Sequence, residues 1–251
     1  MSGIVEWVGH ATVRVELDGV RLLTDPVLRN RVAHLRRVVP VDRRALRGVD
    51  AVLVSHGHLD HLDLPSLERL GRDLPIVIPR GLGPLLRRRR FAAVTELEPG
   101  DELRIGALTV RATPAAHQGG RPPFPGDVRA LGYAVEGSAR AYFAGDTDLF
   151  DELEGLVAEL DLALVPIWGW GPTLGRGQHL DPERAAEAVR RLRPRVAVPI
   201  HWGTYFPAQH GLRGAPAFTR EPVEAFVRAT AAVAPEVEVR VLRPGESTPL
   251  P

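Results

Sequence analysis

The sequence predicts an α/β protein of the α+β class, in which two β-sheets pack face to face between outer layers of helices as a four-layer αββα sandwich. A strand-rich block is followed by helices and the same order then returns, which favours two packed sheets over one doubly wound sheet. Of the 251 residues, 44% are hydrophobic and 25% are charged, the composition of a well-packed globular protein. Neither a short repeat nor a linker interrupts the chain, so residues 1–251 are expected to form one domain.

Short apolar runs in the first third of the chain predict strands. Thr12–Leu17 alternates polar and apolar residues, which is typical of a strand with one buried face. The Asp18-Gly19 step that follows favours a hairpin turn. Strands are predicted at Ile4–Val8, Thr12–Leu17, Val20–Thr24 and Ala51–Ser55. Residues 63–72 predict a helix, with Asp63 as its N-cap.

The rest of the chain carries a second series of strands and helices. Strands are predicted at Ile76–Pro79, Glu102–Ile105, Leu108–Thr113, Leu131–Val135, Ala139–Ala144, Leu162–Pro166, Val196–Ile200 and Val237–Leu242. Helices are predicted at Leu149–Glu159, Asp181–Leu192 and Glu221–Val233, and the arginine run Arg87–Arg90 is interpreted as the solvated face of another helix. The Gly- and Pro-rich segments Gln118–Ala130 and Trp168–Leu180 are long enough to be functional loops.

The composition excludes several kinds of chemistry. All of the 32 basic residues are arginine and the chain has no cysteine. Schiff bases, lysine-dependent phosphate loops, cysteine nucleophiles, thiolate zinc sites and disulfides are therefore excluded. The net charge of +1 gives no indication of a nucleic-acid partner. Without a signal-like N-terminus or a long apolar run, the chain is expected to be cytoplasmic and not inserted in a membrane, and no oligomeric state is indicated.

A dense group of metal-ligand residue types follows the strand Ala51–Ser55. Ser55–Asp63 reads S-H-G-H-L-D-H-L-D, so His56, His58, Asp60 and His61 lie on the turn into the next helix. A turn allows neighbouring side chains to surround one point, whereas a regular strand or helix spreads them over different faces. Imidazoles and a carboxylate this close together are unfavourable unless they are solvated, paired or bound to metal. A metal site is the main interpretation, and a solvated His-rich turn is the alternative.

The HxHxDH pattern resembles the signature of the metallo-β-lactamase superfamily, whose other motifs follow in order. His117 lies in ATPAAHQGG, Asp146 in YFAGDTD and His201 in VAVPIHWGTY, each after a predicted strand. The resemblance implies a metallo-β-lactamase-like hydrolase domain with two metal ions. The first ion would be held by His56, His58 and His117, the second by Asp60, His61 and His201, and Asp146 would bridge them. Nitrogen and oxygen ligands suit Zn²⁺, with Mn²⁺ and Fe as alternatives.

Longer stretches are similar to one branch of that superfamily. Five segments resemble the branch that contains N-acyl-phosphatidylethanolamine phospholipase D and the L-ascorbate-6-phosphate lactonases. They are WVGHATVRVELDGVRLLTDP at Trp7–Pro26, FAGDTD, LALVPIWGWGP, QHLDPERAAEA and IHWGTY. The phospholipase has a tyrosine where this chain has Leu59, and no basic or apolar insertion provides a membrane platform. Both departures argue against a phospholipid substrate.

The resemblance implies hydrolysis of an ester-type bond, a phosphodiester or a lactone, in a small or medium substrate such as a phosphate-containing ester. A hydroxide bridging the two ions would attack phosphorus or carbon, and Asp60 and Asp146 would orient it. The alternatives are a mononuclear iron enzyme and a non-catalytic module that binds metal or nucleic acid. The partner expected is therefore a small-molecule ester.

Further side chains near these motifs are expected to support the site. His179, in GQHLDPE, would contact substrate or act as general acid, and the alternative is a helix cap. His10 and Asp25 match positions where hydrogen bonds fix metal ligands, with a purely structural role as the alternative. The aromatic residues that would wall the pocket or simply join the core are Trp168, Trp170, Trp202, Tyr205 and Phe206. His34 and His210 are interpreted as surface residues.

Overall fold

The computed structural model describes residues 3–122, 126–168, 177–208 and 220–251. Within these ranges the strands are β1 (Ile4–Gly9), β2 (Thr12–Leu17), β3 (Val20–Thr24), β4 (Arg31–Val32), β5 (Leu35–Arg37), β6 (Ala51–Leu53), β7 (Ile76–Pro79), β8 (Val94–Leu97), β9 (Glu102–Ile105), β10 (Leu108–Gln118), β11 (Arg129–Glu136), β12 (Arg140–Phe143), β13 (Leu162–Pro166), β14 (Val196–Ile200), β15 (Tyr205–Pro207), β16 (Glu238–Val239) and β17 (Ser247–Pro249). The helices are α1 (Leu64–Leu70), α2 (Gly83–Arg88), α3 (Pro182–Leu192) and α4 (Glu221–Val233), with 3-10 turns at Arg43–Leu46 and Asp151–Leu153.

Two large sheets and one small sheet are formed by the described strands. The first large sheet has the order β17-β1-β2-β3-β6-β7-β8 and the second has the order β16-β14-β13-β12-β11-β10-β9. Each combines antiparallel hairpins with a run of parallel strands. The two halves of the chain therefore repeat one architecture, as the alternation of strands and helices predicted.

The hairpin between β2 and β3 shows how the sequence sets the local structure. Asp18 and Gly19 have φ angles of 50° and 80°, so both turn residues are in the left-handed region that an Asp-Gly turn favours. The Asp18 carboxylate then accepts hydrogen bonds from the Ser138 backbone N–H and hydroxyl at 2.7 and 2.5 Å. The predicted turn is confirmed, and it also links the first sheet to the second.

The core lies between the two large sheets and continues under the helices on both outer faces. Val13 and Val15 of β2 pack in one buried cluster with Val110 of β10 and Tyr133 of β11, which joins the inner faces of the sheets. A second cluster places α1 and α2 on the outer face of the first sheet, and a third places α3 and α4 on the outer face of the second. The layers are thus helix, sheet, sheet, helix, and the αββα prediction is confirmed.

Helix α3 follows its sequence signals closely. Asp181 Oδ1 accepts the Arg184 backbone N–H at 2.9 Å, so Asp181 is the N-cap. Near the other end, Glu187 forms ion pairs with Arg190 and Arg191 at 2.6 and 2.8 Å. The alanine-rich face of the helix is buried against the second sheet.

The prediction of a helix at Leu149–Glu159 is wrong. Only the single 3-10 turn Asp151–Leu153 forms there. Gly155 and Glu159 have φ angles of 74° and 47°, which a right-handed helix does not allow. Leu153, Val157 and Leu160 are nevertheless buried in the core under the second sheet. The apolar spacing that predicted a helix therefore marks the residues by which an irregular segment packs on that sheet.

Several short strands were missed because they are too brief to show a period. They include β4, β5 and β15, which form the small third sheet, together with β8 and β17. In contrast, the predicted strand Val237–Leu242 contributes only Glu238–Val239. The arginine run extends past α2, and Arg87 and Arg89 form ion pairs with Glu96 and Glu68 at 2.8 and 3.7 Å, as expected of a solvated face.

The topology brings the sequence motifs together. The turn that follows β6 and those that follow β12 and β14 lie where parallel strands end, and β10 approaches them from within the second sheet. None of the helices in the described part of the chain is long and apolar enough to cross a membrane.

Candidate metal centre

The turn after β6 is held in place by backbone hydrogen bonds. The Gly57 N–H donates to Gly119 O at 2.7 Å, and the N–H groups of His61 and Leu62 both donate to His58 O at 3.0 and 2.8 Å. This tight turn places His56, His58 and His61 in the interior, with at most 7% of each exposed. The sequence prediction that the turn gathers these side chains is confirmed by their contacts.

His117 lies in a different place from the one predicted. It was expected beyond the end of a strand at Leu108–Thr113, but β10 continues to Gln118 and contains it. The pairing of β10 with β11 shifts register between Pro114 and Gln118. This irregular stretch turns the His117 ring toward His58, and their Nε2 and Nδ1 atoms are 3.2 Å apart.

Asp146 depends on the glycine that precedes it. Gly145 has a φ of 62°, and a Cβ atom at this position would lie 2.8 Å from both Leu131 O and Ser55 Cβ. Only glycine combines this conformation with such close packing. The chain can therefore turn sharply after β12 and direct the buried Asp146 carboxylate into the cluster.

Three other residues of the site have backbone conformations that are unusual for their type. His10, Asp25 and His201 have φ angles of 56°, 34° and 62°. Such conformations cost roughly 1–3 kcal/mol each and are concentrated at functional sites. The backbone N–H of His201 donates to His10 O at 3.0 Å, so the surrounding structure stabilises two of these residues through each other.

The described His and Asp side chains form four overlapping groups that could hold a metal ion, and two of them contain the predicted ligand sets. The other two are Asp25 with His56 and His61, and His117 with Asp146 and His179. His56, His58 and His117 offer nitrogen atoms that all lie within 4.8 Å of one another. The second group contains Asp60, His61 and His201 together with His10, and its ligand atoms also lie within 4.8 Å of one another. In that group the Nε2 atoms of His61 and His201 are 3.3 Å apart. These are the two ligand sets that the resemblance implied, with His10 in addition.

Asp146 lies between the two groups. Its Oδ2 atom is 3.2 Å from His61 Nε2 and 3.9 Å from His56 Nε2, and its Oδ1 atom is 3.3 Å from His201 Nε2. One carboxylate thus faces both groups, which is the geometry that a bridging ligand requires.

The orientation of the rings fits a cation. The Nδ1 atoms that face away from the cluster contact Ser55 Oγ (from His56), Asp25 Oδ2 (from His61), Gln178 O (from His117) and Trp168 O (from His201), at 2.9, 2.6, 2.7 and 2.9 Å. These outer contacts fix each ring and leave Nε2 directed inward, as in metal-binding histidines. Inside the cluster, the buried atoms His56 Nε2 and Asp146 Oδ1 have no hydrogen-bond partner among the described residues. A divalent ion would satisfy both.

Electrostatics prepare the cluster for cations. Burial, with His117 nearby, lowers the pKa of His58 to about 3, and burial also holds the pKa of His56 well below its usual value. Burial alone would raise the pKa of Asp146, but His201 and His61 hold it well below the ordinary range. Neutral imidazoles at His56 and His58 beside an ionised carboxylate are protonation states that bind a metal ion. Despite its burial, His61 has a pKa held well above its usual value by the carboxylates of Asp146, Asp25 and Asp60, so this ring would release a proton when a metal binds.

Asp25 connects ligands of both groups. Its Oδ2 atom contacts His61 Nδ1 at 2.6 Å and accepts the Ser55 hydroxyl at 2.5 Å, while Oδ1 accepts the Ser55 N–H at 2.7 Å. The Ser55 hydroxyl in turn contacts His56 Nδ1 at 2.9 Å. Asp25 therefore orients one ring directly and the other through Ser55.

His10 supports the second group from behind. Its Nε2 atom is 3.2 Å from Asp60 Oδ2, and its ring centroid lies 4.0 Å from that of His201. The rings of Tyr205 and His10 are nearly perpendicular, with centroids 5.3 Å apart, and the Tyr205 hydroxyl donates to Arg29 O at 2.8 Å. Tyr205 thus lies behind the metal ligands and does not form a wall in front of them.

The other aromatic residues have different environments. Trp168 is half-buried and its carbonyl holds His201. Trp202 is partly buried and stacks on buried Trp7 with ring centroids 5.1 Å apart, and Phe206 is buried. These contacts agree with the alternative that both residues join the core. Trp170 and His210 lie outside the described residues.

His179 belongs to the cluster. Its Nδ1 atom is 3.3 Å from Asp146 Oδ2, and its ring lies 4.7 Å from that of His117. The alternative role as a helix cap is taken by Asp181. His179 is 14% exposed, which leaves its ring accessible to a small molecule bound at the ligand groups.

Sequence reasoning missed residues whose contacts depend on tertiary structure. Ser55 lies within the motif, but nothing in the spacing of the sequence indicates that it contacts Asp25. The Thr204 hydroxyl accepts the His10 N–H at 2.7 Å, and the Gln178 carbonyl oxygen contacts His117 Nδ1 at 2.7 Å. Neither contact is indicated by the sequence. His34 is exposed as predicted, yet it lines a cleft beside His58 and Asp60.

The αββα fold and the convergent His/Asp groups define a metal-binding protein of the metallo-β-lactamase fold. A family profile described as the beta-lactamase superfamily domain matches residues 20–202. The chain belongs to that superfamily.

Proteins with similar sequences include metal-dependent hydrolases. A metal-dependent hydrolase of Methanopyrus kandleri is 32% identical, and the alignment covers 97% of this chain and 98% of that protein. An N-acyl-phosphatidylethanolamine-hydrolysing phospholipase D of Caenorhabditis elegans is 33% identical, over 79% of this chain and 63% of that protein. An uncharacterised protein of Mycobacterium tuberculosis is 36% identical over 96% of this chain and 67% of its own length.

Solved structures agree with the fold. The metallo hydrolase Igni18 of Ignicoccus hospitalis has a TM-score of 0.76 and 26% identity, and the match covers 100% of this chain and 99% of that one. A possible metal-dependent hydrolase of Veillonella parvula, at 20% identity, shares the fold with a TM-score of 0.77 and full coverage of both chains. The protein is accordingly a metal-dependent hydrolase of the metallo-β-lactamase superfamily.

Proposed function

We propose that this hydrolase is binuclear and cleaves an ester-type bond, a phosphodiester or a lactone, in a small or medium substrate. The observation that carries the proposal is the position of Asp146 between two complete ligand groups. His56, His58 and His117 would hold one divalent ion, and Asp60, His61 and His201 would hold the other. Zn²⁺ suits this donor set best, and Mn²⁺ and Fe are compatible with it.

Bound ions would supply an activated water and polarise the bond to be cleaved. The protein's own residues provide the positions. Asp146 faces both groups, Asp60 is kept in orientation by His10, and His179 Nδ1 lies 3.3 Å from Asp146 Oδ2. His179 is proposed to contact the leaving oxygen of the substrate as a neutral hydrogen-bond donor, because burial lowers its pKa to about 4.

The ester class is supported by the relatives and by the chemistry of the site. One relative hydrolyses N-acyl-phosphatidylethanolamine by its name, which makes a phosphate-containing ester a reasonable substrate class. The proposed partner is a small molecule and not a nucleic acid, since the chain has a net charge of only +1.

Substitution of the shared carboxylate tests this proposal. In Asp146→Asn we expect kcat/KM to fall at least about 100-fold, with one ion per chain lost, because a neutral amide is a poor bridging ligand. Activity is measured on aryl phosphodiesters, aryl phosphomonoesters, aryl carboxylic esters and lactones, with metal content and circular dichroism measured on the same samples. Full metal content with full activity in the folded variant would overturn the binuclear mechanism.

A further inference from the structure

A small cleft opens directly beside the ligand groups. Its volume is about 190 Å³, and it lies between the tip of the β4–β5 hairpin at residues 32–35, the turn at residues 57–60, and Arg121 with Pro122. We call it the hairpin cleft. His58 and Asp60 line its inner wall, so a group bound there is adjacent to the proposed reaction site.

The walls of the hairpin cleft are anchored to the rest of the fold. The His34 carbonyl accepts the Ala208 N–H at 2.8 Å, and Arg37 of β5 donates to the carbonyl of Val8 at 3.0 Å. On the other side, Gly57 is bonded to Gly119, two residues before Arg121. The cleft is therefore shaped by fixed elements, as expected of a preformed binding pocket.

The tip of the hairpin has an uncommon backbone conformation. Ala33 has a φ of 48°, in the left-handed region that alanine rarely adopts. The pairing of β5 with β4 and with β15 holds the tip in this conformation. A positive φ is what the first central residue of a two-residue hairpin turn requires, and the turn places residues 33 and 34 in the cleft wall.

The side chains in the cleft differ in chemistry from one end to the other. Leu59 is 38% exposed, and together with Pro122 and Leu35 it provides an apolar surface. Arg121 is exposed and has no ion-pair partner in the part of the chain that the structure describes. Its guanidinium is free to bind an anionic oxygen group through paired hydrogen bonds.

The volume limits what can bind. A water molecule in the liquid occupies about 30 Å³, so the cleft has room for roughly six waters. This space suits one arm of a substrate and not a whole lipid or polymer.

We propose that the hairpin cleft is the specificity subsite for an anionic group, a carboxylate or a phosphate, carried on a short apolar stem of the substrate. Arg121 binds the anionic group, and Leu59 contacts the stem. The proposal rests on the proposed function, because it assigns one part of the ester substrate to a place beside its reaction site.

Matched esters test the subsite by kinetics. The aryl monoester of glutaric acid carries a carboxylate, the aryl ester of γ-phosphonooxybutanoic acid carries a phosphate, and aryl hexanoate is the neutral control. In Arg121→Met we expect kcat/KM for the preferred anionic ester to fall at least about tenfold through KM, while the value for hexanoate stays within twofold. Comparison of the two anionic esters identifies which group the cleft accepts.

Arg36→Met is the matched control variant. Arg36 is exposed on the same hairpin and does not line the cleft, so its loss removes the same charge from the same region. If Arg36→Met lowers the rate on anionic esters as much as Arg121→Met does, the effect is general electrostatics and the subsite is refuted.

Equilibrium binding separates this proposal from the proposed function. Glutarate and propyl phosphate are titrated into the metal-loaded wild type and both variants, and we expect at least about tenfold weaker binding of one of them to Arg121→Met only. Arg121-dependent binding without turnover of any phosphodiester, phosphomonoester, lactone or carboxylic ester would leave the subsite in place and refute the ester hydrolase. If esters are cleaved but all three proteins bind the anions equally, the subsite is refuted and the ester hydrolase stands.

Discussion

At the scale of single residues, side chains outside the two predicted ligand sets fix the orientation of the residues within them. Asp25 holds His61 directly and His56 through Ser55, and so its carboxylate orients one ligand of each group. His10 does the same for Asp60. Outer contacts of this kind fix the ring that faces the metal and typically contribute 10–100-fold to metal affinity or activity.

The Asp25 contacts give the first prediction. In Asp25→Asn, metal affinity should fall about 10–100-fold, because an amide nitrogen replaces an oxygen that accepts from Ser55 or His61. Competition with a fluorescent chelator measures the affinity. Asp18→Asn is a matched control, since Asp18 accepts from the N–H and hydroxyl of Ser138 in the same pattern at the protein surface. Equal affinities in wild type and Asp25→Asn would contradict the account.

Sequence reasoning recovered these residues unequally. His56, His58, Asp60 and His61 were evident because they are neighbours in the chain, and their chemistry is unfavourable without a common partner. Asp25 and His10 were found only through resemblance to a family. Arg121 lies in the predicted functional loop Gln118–Ala130, but nothing singled it out there, and His34 was interpreted only as a surface residue. Their shared cleft is formed by segments that lie far apart in the chain.

At the scale of elements, the ligands depend on how strands end. The sharp turn after β12 needs Gly145, which allows Asp146 to leave the sheet beside Ser55. His201 leaves β14 with a positive φ, and His117 is turned inward by the irregular end of β10. The order of strands was predictable from their apolar patterns. The continuation of β10 and the small third sheet were not, because the shift of register in β10 and the two- or three-residue strands of the small sheet give no apolar period.

Gly145 provides a second prediction. In Gly145→Ala the new methyl group would meet Leu131 O and Ser55 Cβ, so we expect the free energy of unfolding to fall by about 2–4 kcal/mol, from strain and overpacking together. Urea denaturation measures this value. Gly155→Ala is the matched control, because Gly155 also has a positive φ but no atoms lie within 4 Å of its added Cβ. The account fails here if both variants lose the same stability.

Helix α3 provides a prediction about pH. The hydrogen bonds from Arg190 and Arg191 lower the pKa of Glu187 to about 2, from 4.5. A carboxyl group whose pKa is lower in the folded state stabilises the protein above its unfolded pKa, and this contribution is lost as the pH falls from 4.5 toward 2. A double-mutant cycle of Glu187→Gln and Arg190→Gln should give a coupling of about 0.5 kcal/mol at neutral pH and less near pH 3. A coupling that is unchanged across this range would contradict the assignment.

At the scale of the whole molecule, two sheets and their outer helices form a scaffold that delivers ligands from strand ends in both halves of the chain. The buried His/Asp cluster lies between these halves, so a bound metal joins the first sheet to the second. The duplicated order of strands and helices made this architecture predictable from sequence. The false helix at Leu149–Glu159 shows the limit, because apolar spacing reports burial and does not by itself fix the backbone.

Metal removal should therefore affect stability as well as activity. At free metal about 100 times above the dissociation constant, one site contributes about 2.7 kcal/mol to the free energy of unfolding. Dialysis against a chelator should lower the midpoint of thermal unfolding, and added Zn²⁺ should restore it. A midpoint that is the same with and without metal would show that the cluster does not couple the two halves through an ion.

The central claim is that the two ligand groups each hold a metal ion. Elemental analysis of the protein, purified without added metal and without a histidine tag, tests it most directly. The account predicts about two transition-metal ions per chain, and about one in Asp146→Asn. A wild-type chain that contains no metal, and takes up none on titration with Zn²⁺, Mn²⁺ or Fe²⁺, would contradict it.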